Sequence, residues 1–244
     1  MKFECVIVSV NYGDYLAWTL PLNLRHFDKI VVVTTFTDQQ TQDLCKFYDV
    51  ECVTTHSFYQ NNARFKKSCG VNEGLARLKR DAWVAHMDAD IVLPPRAREM
   101  LEKVNLDPAC LYGIDRMMCE SFEDWLKYFI HPKYQLHEEN IFIKPNAFET
   151  FGIRVGLLGK DQYADGYAPI GFFQLWNPTG SGVSEYTVEH ESAGKDDMLF
   201  ALKWPRRRRL LLPEIIGIHL ESQTPAKMGS NWNGRVTPPF GKVG

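Results

Sequence analysis

Short apolar stretches alternate with amphipathic segments through the first half of the chain. Five stretches have the length and β-branched content of buried strands: residues 3–10, 30–35, 51–54, 83–87 and 109–114. The segments between them predict helices at 15–27, 37–48, 68–79 and 95–104. In the second of these, Leu44 and Phe47 are expected to face the core. Strand–helix alternation of this kind predicts a mainly parallel sheet covered on both faces.

The second half is less regular and rich in aromatic residues and glycine between positions 120 and 190. Strands are predicted at 142–143 and 172–176, a helix at 195–203, and extended segments at 210–212 and 215–220. Residues 223–244 contain many Pro, Gly and Asn residues and predict a loop-rich tail. With 244 residues, 45% of them hydrophobic, the chain can form one large α/β domain.

Charge and cysteine usage narrow the functional class. The 28 basic and 30 acidic residues are nearly balanced, so a dedicated polyanion binder is not indicated. The N-terminus leads directly into a strand-like run, which is not a signal peptide, and no apolar stretch approaches the ~20 residues of a membrane span. Six cysteines without a Cys-x-x-Cys pair argue against a zinc or disulfide framework. A soluble cytoplasmic protein is expected.

The most informative local feature is the triplet Asp88-Ala89-Asp90 at the end of the strand predicted over 83–87. Two carboxylates at the end of a buried strand need a compensating charge, and carboxylate oxygens suit Mg²⁺ or Mn²⁺. The alternative is a turn with solvated aspartates. Because a parallel sheet binds ligands at the carboxyl ends of its strands, the position favours a site. No Gly-x-Gly-x-x-Gly motif and no Gly-Lys-Ser/Thr loop occurs, so a nucleotide would be bound through its metal.

Four separated segments resemble the GT-A fold glycosyltransferases, particularly their family-2-like members. They are the strand and loop at 6–12, the basic Asn-x-Gly segment at 65–75, Asp88-Ala89-Asp90, and Gly194-Lys195-Asp196-Asp197. The resemblance implies a single GT-A-like, Rossmann-like nucleotide-diphospho-sugar transferase domain. Residues 1–115 would form its nucleotide-sugar-binding half and residues 116–222 its acceptor-binding, catalytic half.

The resemblance also implies the chemistry of the reaction. A Mn²⁺ or Mg²⁺ ion bound by Asp88, Asp90 and His219 would neutralise the diphosphate that leaves a nucleotide-sugar, most simply a UDP-sugar. For His219 a hydrogen-bonded core position is the equal alternative. His86 is expected to be structural. Further donor-binding candidates are Val10, Asn11, Tyr12, Asp38, Lys67, Asn72, Asp88 and Ala89. Asp38 could equally be the N-cap of the following helix.

Asp196 and Asp197 are the candidate general bases that would accept the proton of the attacking acceptor hydroxyl. Inversion at the anomeric carbon requires such a base opposite the leaving group. This chain has Lys195 where the family commonly has Glu, and Met198 where a second acid is frequent. Which of the two aspartates acts is therefore open. Their alternative role is to stabilise a helix N-terminus.

The acceptor is the least constrained part of the prediction. Trp176 is a candidate contact, and Arg206, Arg207, Arg208 and Arg209 form a run that could bind phosphates. Such a run is also typical of a solvated turn. Phage-type relatives modify hydroxymethylated pyrimidines, so DNA is one candidate beside a glycan or a small molecule. The alternatives to a glycosyltransferase are a nucleotidyltransferase and a non-catalytic nucleotide-sugar or glycan-binding protein.

Overall fold

A computed structural model describes residues 1–79, 81–119, 121–126, 168–220 and 231–241. The described strands are β1 Phe3–Val8, β2 Lys29–Thr34, β3 Glu51–Thr54, β4 Trp83–Asp88, β5 Ile91–Val92, β6 Leu111–Cys119, β7 Phe173–Trp176 and β8 Arg209–Leu220. The described helices are α1 Gly13–Asn23, α2 Gln39–Phe47, α3 Lys67–Leu75, α4 Ala97–Lys103, α5 Phe122–Asp124, α6 Pro178–Ser181 and α7 Asp196–Ala201. The predicted strand at 142–143 lies outside these residues.

One eight-stranded sheet contains every described strand, in the order β3-β2-β1-β4-β7-β6-β8-β5. Within the described ranges, β1–β2, β1–β4, β2–β3 and β6–β8 pair in parallel, whereas β7 and β5 pair antiparallel with their neighbours. The predicted α/β class with a mainly parallel central sheet is confirmed. Because strands from both predicted halves share this sheet, the chain forms a single domain.

The sheet curls so that two distant strands meet at one point. β5 follows β4 after only two residues, yet it pairs with β8 at the far end of the strand order. Ile91 of β5 is opposite His219 of β8. The turn Ala89-Asp90 therefore links the carboxyl end of β4 to the carboxyl end of β8, which is the geometry that a site shared by both strands requires.

Helix α3 approaches the sheet closely because it carries glycine where it crosses β1. A Cβ added at Gly74 would lie 2.5 Å from the Val6 side chain and 2.9 Å from that of Val33. A Cβ at Gly70 would lie 2.2 Å from the Phe58 ring. This close approach places the first residue of α3, Lys67, beside the end of β4.

The described elements depart from the sequence-based expectations at α2 and at β8, among other places. Phe47 was expected in the core but is 79% exposed, because α2 buries Thr41 and Cys45 instead. The segments predicted at 210–212 and 215–220 form one continuous strand, β8, whose register against β6 shifts between Ile114 and Asp115. Among the described residues, no helix is both long and apolar enough to cross a membrane.

Candidate active site

A cleft of about 490 Å³ opens where the curled sheet brings the ends of β1, β4 and β8 together. Its walls come from segments that are far apart in the sequence. The lining includes Val10, Tyr12, Lys67, His86, Asp88, Ala89, Asp90, Arg116, Tyr186, Asp196, Asp197, His219 and Arg235. The acidic turn and the Asp196 segment, predicted separately, therefore face one cavity.

Buried polar groups hold the acidic turn in place. The Thr19 hydroxyl donates to the carbonyl of Ala89 at 2.6 Å. The Asn23 amide donates to the carbonyl of Ile91 at 2.7 Å and accepts from the Leu93 backbone N–H at 3.0 Å. Both residues belong to α1 and are buried. Because the backbone of the turn is fixed from α1, its two carboxylates are held in a defined position.

Asp90 and His219 form a buried pair. Oδ2 of Asp90 lies 3.1 Å from Nε2 of His219, and both side chains are largely inaccessible to solvent. Oδ1 of Asp90 and Nδ1 of His219 have no hydrogen-bond partner among the described residues. Burial raises the pKa of Asp90, but His219, Lys67 and Arg116 more than offset this, so the pKa lies below its usual value. Asp90 is therefore held as a carboxylate.

Asp88 pairs with a cation of its own. The Lys67 ammonium contacts Oδ1 of Asp88, and the pair is about three-quarters buried. Burial is the main reason that the pKa of Asp88 is raised, and the nearby Asp90 adds to it, against the opposing charge of Lys67. Burial works against the charged form of Lys67, yet its acidic neighbours keep the pKa of the ammonium above its usual value. A protein cation thus supplies part of the charge compensation that the sequence assigned to a metal.

The described residues contain no cluster of three His, Cys, Asp or Glu side chains arranged as a complete metal cage. They do offer a partial site. Two ligands on adjacent corners of a Mg²⁺ octahedron lie about 3 Å apart, which matches the 3.1 Å between Oδ2 of Asp90 and Nε2 of His219. The unpartnered Oδ1 of Asp90 is a further free ligand atom. Such a set suits an ion whose other ligands are water and substrate phosphates.

Asp196 and Asp197 enter the cleft from the start of α7 and have different surroundings. Oδ2 of Asp196 accepts the Ser68 backbone N–H at 2.9 Å, whereas its Oδ1 has no described partner. Burial is the largest cause of the raised pKa of Asp196, which is 3% exposed. Asp197 uses both oxygens on backbone N–H groups, those of Gly171 and Met198, each at 2.8 Å.

The structure separates the predicted donor-binding residues into two groups. Val10, Tyr12, Lys67, Asp88 and Ala89 line the cleft. The others are Asn11, Asp38 and Asn72. They do not line the cleft, and each makes hydrogen bonds within the protein instead. The Asp38 carboxylate caps α2 through the Thr41 N–H and accepts the Asn11 N–H at 2.7 Å, so its N-cap role is confirmed.

Asn72 bonds the backbone of Tyr186 on both sides. Its Oδ1 accepts the Tyr186 N–H at 2.7 Å, and its Nδ2 donates to the Tyr186 carbonyl at 3.0 Å. With both ends of the amide engaged, Asn72 positions the segment that carries Tyr186 against α3. This arrangement gives no support to a direct contact between Asn72 and a nucleotide.

Trp176 does not lie at the cleft. It is fully buried, packs edge-on against Phe200 at 4.8 Å between ring centroids, and donates its indole N–H to the Val183 carbonyl. The prediction that Trp176 contacts the acceptor is therefore wrong. A run of alternating apolar residues cannot distinguish an exposed aromatic platform from the core face of a strand.

The arginine run lies at the start of β8, whereas the acidic turn lies beside the end of that strand. Arg206, Arg207 and Arg208 form an exposed 3-10 turn before β8, and Arg209 begins the strand with its side chain buried. Arg209 and His219 of β8 are opposite Leu111 and Met118 of β6, which are seven positions apart, so roughly 23 Å separates them at the usual rise per residue. This distance argues against the prediction that these arginines contact an acceptor bound at the carboxylates.

Several cleft residues were missed by the sequence analysis. The Arg116 guanidinium lies over the Phe172 ring at 4.6 Å. Arg235 pairs with Asp14 and stacks over the rings of Tyr12 and Tyr15. These arginines are scattered singly over β6 and the tail, and only the folded sheet brings them beside the acidic residues.

His86 was expected to be structural, yet it lines the cleft. On β4 the side chains of Val84, His86 and Asp88 share one face, whereas Ala85 and Met87 pack into the core on the other. Burial, with a smaller contribution from Lys67, lowers the pKa of His86 well below its usual value. The alternation along β4 contained this information, because residues two positions apart in a strand face the same side.

No protein-family model matches this chain, and no curated protein sequence matches it. Solved structures do resemble its fold. Glucosyl-3-phosphoglycerate synthase from Mycobacterium tuberculosis, in complex with Mn²⁺, UDP and glucosyl-3-phosphoglycerate, is 14% identical with a TM-score of 0.34. That alignment covers 47% of this chain and 44% of the synthase, so this chain spans less than half the length of that relative.

Two further structures align over nearly the whole chain. Mannosyl-3-phosphoglycerate synthase from Rubrobacter xylanophilus is 13% identical with a TM-score of 0.46, covering 93% of this chain and 67% of the synthase. The inositol-1-phosphate CTP transferase from T. maritima is 9% identical with a TM-score of 0.48, covering 94% and 93%. At these identities and TM-scores the likeness concerns the fold alone.

Proposed function

We propose that this protein is a metal-dependent glycosyltransferase of the GT-A type, which moves a sugar from a nucleoside-diphosphate donor to an acceptor hydroxyl with inversion. The observation that carries the proposal is the meeting of two acidic pairs in one cleft. Asp88 and Asp90 come from the end of β4, and Asp196 and Asp197 from the start of α7. The Asp88 and Asp90 pair is suited to holding a metal at the leaving diphosphate. The Asp196 and Asp197 pair is suited to accepting the proton of the attacking hydroxyl.

The donor side of the cleft is the region around Asp90, His219 and Lys67. Asp90 and His219, with Asp88 nearby, would hold Mn²⁺ or Mg²⁺, which when bound neutralises the charge that develops on the leaving diphosphate. Lys67 is positioned to bind a diphosphate oxygen when Asp88 is engaged by the metal. The donor is proposed to be a UDP-sugar, with Val10 and Tyr12 forming the wall beside it.

Asp196 is the proposed general base. A base needs a free lone pair, and Oδ1 of Asp196 has no described partner, whereas both oxygens of Asp197 are bonded to backbone N–H groups. Burial also raises the pKa of Asp196, which strengthens the carboxylate as a proton acceptor. Asp197 then positions the loop at Gly171 beside the sugar site. The hydroxyl loses its proton to Asp196 as it attacks the anomeric carbon.

The acceptor is a molecule with a hydroxyl that can enter this cleft. A glycan, a small molecule or hydroxymethylpyrimidine DNA would each meet that requirement. The distance between Arg206–Arg208 and the carboxylates means that the arginine run does not by itself favour DNA. Incubation with a labelled donor and each acceptor class separates these candidates.

The test is turnover of a nucleotide-sugar panel with Mn²⁺, with the released products identified. A glycosyltransferase releases a nucleoside diphosphate, whereas a nucleotidyltransferase releases pyrophosphate. We expect the diphosphate from the wild type and its loss in Asp196→Asn. Release of pyrophosphate would replace the proposal with nucleotidyl transfer. Donor binding without any turnover across the panel of donors and acceptors would indicate a non-catalytic binding protein.

A further inference from the structure

His86 lines the cleft and has a buried ring nitrogen without a described partner. The residue is 1% exposed, and Nε2 has no hydrogen-bond partner among the described residues. Its other ring nitrogen, Nδ1, lies 3.0 Å from the Tyr186 hydroxyl. A buried polar atom without a partner is costly unless a ligand satisfies it. Whether Nε2 donates or accepts depends on the tautomer, which the hydrogen bonds behind His86 determine.

The side-chain amide of Gln174 has only one possible orientation. Its Nε2 contacts two carbonyl oxygens, that of Pro169 at 2.8 Å and that of Asp197 at 3.1 Å. Carbonyl oxygens only accept hydrogen bonds, so the atom facing them must be the NH₂ group. Oε1 of Gln174 therefore faces the Tyr186 hydroxyl as an acceptor.

The orientation of the Gln174 amide determines which hydrogen bonds Tyr186 and His86 can make. The Tyr186 hydroxyl has a single proton, which it donates to Oε1 of Gln174. Its oxygen must then accept from His86, which requires the proton of a neutral ring to be on Nδ1. His86 is 1% exposed, so a second proton would bury a charge, which is costly, and the ring is neutral. Nε2 of this cleft-lining residue thus carries a lone pair without a described partner, and it can only accept.

The position of His86 selects the ligand group that meets this lone pair. His86 and Asp88 are two residues apart on one face of β4, about 6.6 Å along the strand. The hydrogen-bonded relay behind His86 ends at the backbone carbonyl of Asp197, in the segment that carries the proposed base. His86 therefore lies between the leaving-group side and the attacking side of the cleft. In a glycosyl transfer, that interval contains the transferred sugar.

We propose that Nε2 of His86 accepts a hydrogen bond from a hydroxyl group of the transferred sugar, and so contributes to the choice of donor. Tyr186 and Gln174 are positioning residues that fix the accepting tautomer. The inference rests on the proposed function, because it assigns a sugar to this part of the cleft. A nucleotide without a sugar would leave the nitrogen without its partner.

The tautomer is measured first, in the ligand-free protein. Ring ¹⁵N NMR distinguishes protonated from unprotonated nitrogens, and His86→Asn identifies the signal. We expect an unprotonated Nε2 in the wild type. In Tyr186→Phe the partner of Nδ1 is lost, and a population protonated on Nε2 should appear. A wild-type Nε2 that carries a proton would overturn the inference without bearing on whether the protein transfers sugar.

Ligand binding gives the second readout. With Mn²⁺ present, UDP-glucose, UDP-N-acetylglucosamine and GDP-mannose are each compared with the matching nucleoside diphosphate. We expect the Nε2 resonance to move with the nucleotide-sugar that the protein turns over and to stay in place with the diphosphate alone. Equal responses to the two ligands, or no response to a donor that is turned over, would contradict the assignment.

Kinetics with deoxy-sugar donors complete the test. For the wild type, kcat/KM should fall about 10- to 100-fold for the one analogue that lacks the contacted hydroxyl. His86→Asn, which retains a donor toward Tyr186, should lose this discrimination, and His86→Gln, whose carbonyl oxygen can reach the Nε2 position, should recover part of it. Full discrimination in His86→Asn would overturn the inference. Absence of turnover in the wild type would overturn the proposed function and the sugar contact with it, whereas a protonated Nε2 in an active wild type would overturn the sugar contact alone.

Discussion

Nε2 of His219 lies 3.1 Å from Oδ2 of Asp90, although Asp90 is in the turn after β4 and His219 is in β8, far along the chain. The contact exists because β5 carries the chain from the acidic turn directly to the edge of β8. The same curl places Asp88 beside Lys67 of α3. The candidate metal site is therefore a product of the sheet's curvature as much as of the acidic triplet.

Replacing Asp90 with asparagine tests this site directly. Asp90→Asn keeps the shape but removes a ligand charge, so we expect Mn²⁺ affinity in the presence of UDP, and donor turnover with it, to fall on the order of 100-fold. Calorimetric titration of Mn²⁺ measures the change. Asp43→Asn, on an exposed part of α2, is the matched control and should behave as wild type. Unchanged Mn²⁺ binding in Asp90→Asn would remove Asp90 from the metal site.

Asp196→Asn should separate catalysis from stability. Loss of the general base is expected to reduce kcat by about 10²–10⁴-fold with little effect on donor binding, whereas Asp197→Asn should reduce it less. The two kcat values, measured at the same pH, decide which aspartate is the base. A larger loss in Asp197→Asn would exchange the two roles.

Asp196→Asn should also change how the free energy of unfolding depends on pH. The pKa of Asp196 is raised in the folded state by burial, so the folded protein holds this proton more tightly than the unfolded chain does. The stability that the protonated form contributes is complete below the unfolded-state pKa and is lost as the pH rises through the folded-state pKa. The side chain of asparagine does not titrate, so Asp196→Asn does not lose this stability as the pH rises. It should match the wild type in acid and exceed it at neutral pH in denaturant unfolding, and a lower stability at neutral pH would contradict the burial argument.

The sequence was sufficient to identify the acidic turn and the Asp196 segment, because each combines an unusual local charge pattern with a strand end or a helix start. It was insufficient for α2. Leu44 packs against the core as predicted, but Phe47 is exposed, and the fully buried residues of the helix are Thr41 and Cys45. Thr41 is held inward by hydrogen bonds to Asp38 and Ser9. Such tertiary contacts decide which stripe faces the core, and no local pattern reveals them.

The arginine run shows the same limit on a larger scale. Charge density along the chain suggested a binding surface, but the direction of β8 places the run at the strand's start, away from His219. Arg116 and Arg235, single arginines without a local pattern, are the ones that line the cleft. Which charged residues come close together in the fold depends on the direction of each strand. That direction follows from the topology of the sheet and cannot be read from the local sequence.

Thr19→Val tests whether α1 positions the acidic turn. The substitution preserves side-chain shape but leaves the buried Ala89 carbonyl without the donor now at 2.6 Å. We expect a loss of about 1–3 kcal/mol in the free energy of unfolding, together with weaker Mn²⁺ binding. Thr19→Ser retains the hydroxyl and is the matched control. If both variants bind Mn²⁺ as the wild type does, the turn does not depend on this hydrogen bond.

Lys67→Met tests the exchange between a protein cation and a metal at Asp88. Without Mn²⁺, removal of the ammonium leaves two neighbouring carboxylates less compensated, and the free energy of unfolding should fall by roughly 1–3 kcal/mol. Added Mn²⁺ and UDP should reduce this deficit, because the metal supplies the missing charge. Lys46→Met, at an exposed position of α2, controls for the change in net charge. A deficit independent of Mn²⁺ would show that Lys67 and the metal do not share Asp88.

Replacing Arg206, Arg207 and Arg208 together with glutamine tests whether the exposed run takes part in the reaction. Because it precedes β8 and lies roughly 23 Å from His219 along the sheet, kcat and KM for the donor and for a small acceptor should stay within about twofold of wild type. A polyanionic acceptor long enough to reach both ends of β8 would behave differently. Its KM would rise in the triple variant, and the salt dependence of its binding would become shallower, since fewer counterions are released from the phosphates.

Turnover of hydroxymethylated DNA, measured at two salt concentrations for both proteins, therefore decides whether this run is an acceptor surface or a solvated turn. Arg209 is left unchanged in this experiment, because its buried side chain would add a folding defect.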